Sequence, residues 1–101
     1  MKLYLVKEQG EPLWVAALAH ERMYGYVANT GKFHDNNALR NDFYMERWFG
    51  YERIGPAEAR RLIDDGVGRI DDESEALGRW RADRKPLDPA DVLSMAAGYT
   101  E

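Results

Sequence analysis

The chain has 101 residues, 45% of them apolar and 32% charged, with a formal net charge of −4 and a pI near 5.2. That length builds one modest hydrophobic core and not two, so a single domain over residues 1–101 is expected. The absence of cysteine excludes disulfides, iron–sulfur clusters, thiolate zinc sites and cysteine nucleophiles, and two histidines cannot make a three-histidine metal site.

The acidic balance repels phosphate backbones, which makes nucleic acid a disfavoured partner unless a local basic patch receives it. No stretch near the N-terminus combines basic residues with an apolar run of signal-peptide length. The longest apolar run, Leu13 to Ala19, is too short to cross a bilayer. A cytoplasmic protein with no membrane association is the expectation. Arginine outnumbers lysine and alanine is abundant, a composition that accompanies GC-rich bacterial and phage genomes.

Lys2 to Lys7 alternates, with Leu3 and Leu5 on one face and Tyr4 and Val6 on the other, and reads as a strand buried on both sides. Turn residues Glu8 to Pro12 follow. Leu13 to His20 is apolar on both faces and reads as a central strand, with a short helix as the alternative because its alanines suit either. Arg22 to Asn29, rich in Tyr and Val, completes an antiparallel meander.

Asn29-Thr30-Gly31-Lys32 is a turn by composition, and a helix is predicted to start after Asp35, Asn36 or Asn37, with Leu39 and Phe43 on its inner face. Trp48 to Ile54 is a candidate fourth strand. Gly55, Pro56 and Glu58 mark the start of the clearest helix, whose apolar stripe is Ala59, Leu62 and Ile63 and which ends at Gly66. Asp64 and Asp65 at its C-terminal end oppose the helix dipole. A further helix is predicted from a cap at Asp71 or Asp72, with Glu75 in a box-like arrangement and Leu77 and Trp80 facing inward. The last runs from Asp88-Pro89 through Val92, Leu93 and Ala96 to a stop at Gly98. The fold class is therefore α+β: an N-terminal antiparallel meander of three or four strands followed by three to four short helices.

The stretch from Tyr24 to Tyr44 packs aromatic, amide, basic and imidazole groups most densely. From it Asn29, Lys32, His34, Asn37, Arg40 and Tyr44 are the candidate binding residues. Lys32 and Arg40 can hold an anion, the asparagine amides both donate and accept, and Tyr44 lies one helical turn beyond Arg40. His34 is the candidate acid or base, since imidazole takes and gives a proton near neutrality. The Lys32, His34 and Arg40 tips are expected to converge outside the core.

Recognisable catalytic signatures are missing. Gly31-Lys32 lacks the spacing and the Ser or Thr of a phosphate loop, and Asp64, Asp65, Asp71, Asp72 and Glu73 do not fit a calcium loop. Ser74 and Ser94 lie in predicted helices rather than a nucleophile elbow. No metal or cofactor is expected. The leading expectation is a small protein that binds a protein partner or a second copy of itself, as an adaptor, regulator, antitoxin or inhibitor. The alternative is a metal-independent nuclease or hydrolase toxin using His34, with Tyr44 orienting the substrate. Eight aromatic side chains between Tyr24 and Tyr51 have two readings of equal weight: some of them are interface anchors, or all serve the core of a small protein that depends on aromatic bulk.

Overall fold

A computed structural model describes residues 1–97. The predicted stop at Gly98 lies outside the described residues. Strands β1 (Lys2–Glu8), β2 (Glu11–Ala19), β3 (Arg22–Val27) and β4 (Lys32–Asp35) form an antiparallel meander. After helix α1 (Asn37–Asn41) and a π-helical turn (Asp42–Glu46), strand β5 (Gly50–Ile54) returns beside β1, giving the order β4-β3-β2-β1-β5. Helices α2 (Pro56–Asp64), α3 (Glu75–Arg81) and α4 (Pro89–Ala97) follow. The α+β class holds, with five strands in place of three or four.

Alternation along each strand divides the sheet residues between two cores. Leu3, Leu5, Val15, Ala17, Tyr26 and Phe33 face one side and pack against Ala59, Leu62 and Ile63 of α2 and Val92 and Leu93 of α4. Val6, Ala16 and Met23 face the other side, where Leu39 of α1 covers them with Trp14, Phe43 and Tyr51. The segment read as either strand or helix is the strand β2, because its apolar residues on both faces find separate layers to cover them. Pro12 is tolerated beside an irregularity in register, where Val6 pairs with Trp14 but Lys7 with Pro12.

Two predicted boundaries are corrected. Residues 32–35, read as the end of a turn and the approach to a helix, form β4. Asn36 then caps α1, its side-chain oxygen accepting from Leu39 N at 3.0 Å. Helix α3 starts at Glu75 after Ser74, without the predicted box. Asp71 instead accepts from Glu73 N at 3.0 Å, and Asp72 accepts from the Asn29 amide at 2.8 Å. The α2 signals act as read: Gly55 precedes Pro56, and Ala59, Leu62 and Ile63 are buried. Its two C-terminal acids are offset by Arg60 against Asp64 and Arg61 against Asp65, each one turn apart.

The two sheet edges differ. At β4, Phe33 exchanges both backbone hydrogen bonds with Leu87, each 2.8 Å, so the segment before α4 closes that edge. At β5 the described strands end, with β1 its only strand neighbour.

Candidate functional site

Asn29, at the β3–β4 turn, works inside the fold. Its amide oxygen accepts from Ile70 N at 2.8 Å, and its nitrogen donates to Ile70 O at 3.0 Å and to Asp72. Lys32 reaches Asp88 at 3.2 Å across an exposed pair. The backbone N–H of Ala90, then the Lys32 ammonium, hold the Asp88 carboxyl below the usual range.

His34 is only 2% exposed. Its Nδ1 lies 2.9 Å from Asp83 Oδ2 and its Nε2 lies 2.7 Å from Thr30 Oγ1, while its ring stacks on Trp80 at 6.1 Å. Lys85 N–H and the His34 bond keep Asp83 below the usual carboxylate range. With a carboxylate at Nδ1, that nitrogen donates to Asp83, and Nε2 pairs with the Thr30 hydroxyl, whose other acceptor is the Val27 carbonyl at 3.2 Å.

Hydroxyl, imidazole and carboxylate in that order make the connectivity of a nucleophile, base and orienting acid. The surroundings do not complete it. The N–H groups of Thr30 and Gly31, the nearest oxyanion donors along the chain, both bind Val27 O, at 3.1 and 2.9 Å. With both ring nitrogens engaged and the ring buried, His34 acts as a clasp between the β3–β4 turn and the segment after α3.

The expected convergence of Lys32, His34 and Arg40 is thus corrected. The three tips bind Asp88, the Thr30–Asp83 pair and the Glu21 carbonyl respectively. Sequence reasoning missed this because the partners Asp83 and Asp88 come from elements far along the chain.

Arg40 and Tyr44 do meet as their spacing implies, the guanidinium lying 5.8 Å from the ring centroid. Arg40 Nε donates to the Glu21 carbonyl. Asn37 and Arg40 line one polar cleft of about 340 Å³ with His20, Glu21, Arg22 and Asp35.

The turn after α1 carries the least sheltered large apolar side chains. Met45 is 78% and Trp48 79% exposed, with Tyr44 half exposed beside them in sequence. A buried methionine-sized side chain is worth about 1.5–3 kcal/mol relative to an exposed one, so leaving Met45 in water forgoes that much.

The turn is held from beneath by Asp42, itself buried. This carboxylate accepts from Tyr51 OH at 2.7 Å, Trp48 N at 2.8 Å and Phe49 N at 3.2 Å. Burial pushes the Asp42 carboxyl up, but the Tyr51 hydroxyl, the two amides and the Arg47 charge together outweigh it and hold it below the usual range. Burial, then the bond to Asp42, pushes the Tyr51 phenol up. Arg47, with φ of 56°, donates to the Phe43 carbonyl and covers the Phe43 ring at 4.5 Å.

The Trp48 indole N–H donates to Glu46 at 2.6 Å. Tyr44 and Met45 on the π turn and Trp48 two residues past its end are thus exposed side chains close in sequence, two of them of the aromatic types that dominate binding energy. The sequence signal for it was the surplus of aromatics. Which of them leave the core was decided by the π turn, which no local motif announces. No family model, curated protein or solved structure matches the chain.

Proposed function

We propose that this is a small cytoplasmic bacterial or phage protein that acts by binding another protein, in the manner of an adaptor, regulator, antitoxin or inhibitor. Its contact surface is the Tyr44, Met45 and Trp48 turn flanked by Arg40. The observation that carries the reading is that a buried Asp42 carboxylate accepts from Trp48 N and Phe49 N, and from Tyr51 OH beneath them, and so fixes the loop that presents Trp48, the most exposed large apolar residue among those described. A loop with no task would fold Trp48 inward. Here the chain rigidifies it in water, which lowers the entropic cost of docking. Among the described residues no helix is long and apolar enough to cross a membrane, and the partner is taken to be a protein because the surface is aromatic and apolar rather than cationic.

The test is site-specific photocrosslinking from position 45 in cells of the protein's source. A crosslinker there should give one discrete protein adduct, or a covalent dimer if the partner is a second copy, and the adduct should vanish when Trp48→Ala is added. A crosslinker at Arg60, on the outer side of α2, is the control. Adducts from position 45 no different from those at Arg60 would remove the assignment.

A further inference from the structure

Nine of the fourteen lysine and arginine side chains are held by another group of the chain, through ion pairs such as Lys7 with Glu52 and Arg61 with Asp65, or through carbonyls and rings as at Arg40 and Arg47. The other five are Arg69, Arg79, Arg81, Arg84 and Lys85. They make no ion pair, side-chain hydrogen bond or ring contact among the described residues. Four of them crowd into residues 79–85, and all four are exposed. The helix dipole accounts for Arg79 and Arg81, in the last turn of α3, whereas Arg84 and Lys85 stand beyond its end.

The nearby acids do not cancel this charge. Asp35 and Asp88 are matched by Arg22 and Lys32. Glu75 and Asp83 are left against four cations, a surplus of two positive charges, and Asp83 is already bound by His34 and by Lys85 N. Asp71, Asp72 and Glu73 precede the opposite end of α3, a helix about 10 Å long, and Asp72 is taken by the Asn29 amide. In a chain of net charge −4, the segment after α3 is locally positive.

The same segment carries a half-buried indole. Trp80, between Arg79 and Arg81, is fixed by stacking toward His34 at 6.1 Å and by an edge contact with Trp14 at 5.9 Å. With Arg79 and Asp83 it lines a cleft of about 400 Å³ that Asp35, Asn36, Asn37 and Ala38 complete. The exposed Asn37 makes no side-chain hydrogen bond among the described residues, so its amide offers both a donor and an acceptor.

An aromatic wall, an amide and a guanidinium are what an unpaired base meets in single-strand sites, where rings stack and base edges find hydrogen bonds. Three of the four cations are arginine, whose planar fork suits phosphate. An acidic peptide would use the cations but not the cleft. A duplex would need a longer helix or a ribbon to enter its groove, and α3 has only seven residues.

We propose that residues 79–85 and the Trp80 cleft bind single-stranded nucleic acid. Arg79, Arg84 and Lys85 take phosphates, Arg81 adds to the field, and one base enters the cleft against Trp80 and Asn37. The surface shares no residue with the protein-binding turn, so either assignment stands without the other.

The experiment is fluorescence anisotropy of labelled oligouridylate and oligothymidylate, about twelve nucleotides long, titrated with the full chain across a salt series. Saturable binding of either strand supports the site, and the tighter of the two names the sugar. Three phosphate contacts imply that log affinity falls against log salt with a slope of about −2, at ~0.7 per contact. Arg84→Gln with Lys85→Gln should weaken binding roughly tenfold at low salt and flatten that slope. Arg60→Gln with Arg61→Gln, which removes the same charge from ion-paired positions on α2, should leave it nearly unchanged. Trp80→Leu should weaken binding severalfold, and an abasic strand reads the same contact in the wild-type chain if that variant does not fold. No binding at low salt, equal weakening by the two double variants, tighter binding of a duplex, or competition by polyglutamate as effective as by unlabelled strand would overturn the assignment. Equal affinity for the abasic strand would overturn its base-binding half.

Discussion

Asp42 shows how one carboxylate couples stability to surface. Removing it takes the acceptor from a half-buried phenol and two backbone N–H groups, so Asp42→Ala should cost roughly 3 kcal/mol in urea denaturation, and Asp42→Asn, which keeps an acceptor, about 1–2 kcal/mol. Because its folded carboxyl is held below the ordinary value of ~3.9, its contribution is complete above that value and is lost as pH falls through the folded one. Wild type should therefore lose more stability between about pH 5 and pH 2 than Asp42→Asn does, as measured by unfolding midpoints across that range. At this scale the sequence was only partly readable. Arg40 and Tyr44 met because helical spacing fixes neighbours one turn apart. His34 looked reactive because its neighbours in sequence are polar, whereas the groups that bury and bind it, Asp83 and Trp80, lie elsewhere in the chain.

Among elements, α2 and the first three strands were legible because each signal is local: a Gly-Pro start, a stripe at helical spacing, and alternation with turn residues between. Strand β4 was not, since Lys32-Phe33-His34-Asp35 carries one apolar residue and becomes a strand through pairing with β3 and Leu87. The loop between α2 and α3 depends on a close approach that no motif reveals. Gly68 has φ of +99°, and a Cβ there would fall 2.4 Å from Tyr26 O. Gly10, with φ of +81°, has open space around it. Gly68→Ala should accordingly destabilise by several kcal/mol, strain plus displaced backbone, while Gly10→Ala should cost only about 1 kcal/mol of strain. Thermal unfolding of the two variants separates steric from conformational cost, and equal losses would refute the distinction.

For the whole molecule, the layered plan follows from composition, because strands apolar on both faces need cover on both. Helices α2 and α4 supply it on one side, and α1 with the π turn on the other. The unequal edges could not be read from the sequence, since both β4 and β5 are short and charged. Hydrogen exchange should register the difference: the Phe33 amide, bonded to Leu87, is expected to be protected, whereas β5 amides not bonded to β1 should exchange orders of magnitude faster. Uniform protection along both edges would mean that β5 is covered in solution. The place of β1 has a consequence for biosynthesis. Of the five strands it is translated first, yet it is flanked on one side by β2 and on the other by β5, which is translated only after the meander and α1 are complete. Until Ile54 emerges, the nascent meander carries β1 as an unsatisfied flank, so a translational pause before β5 is the interval in which two nascent chains are most apt to pair wrongly.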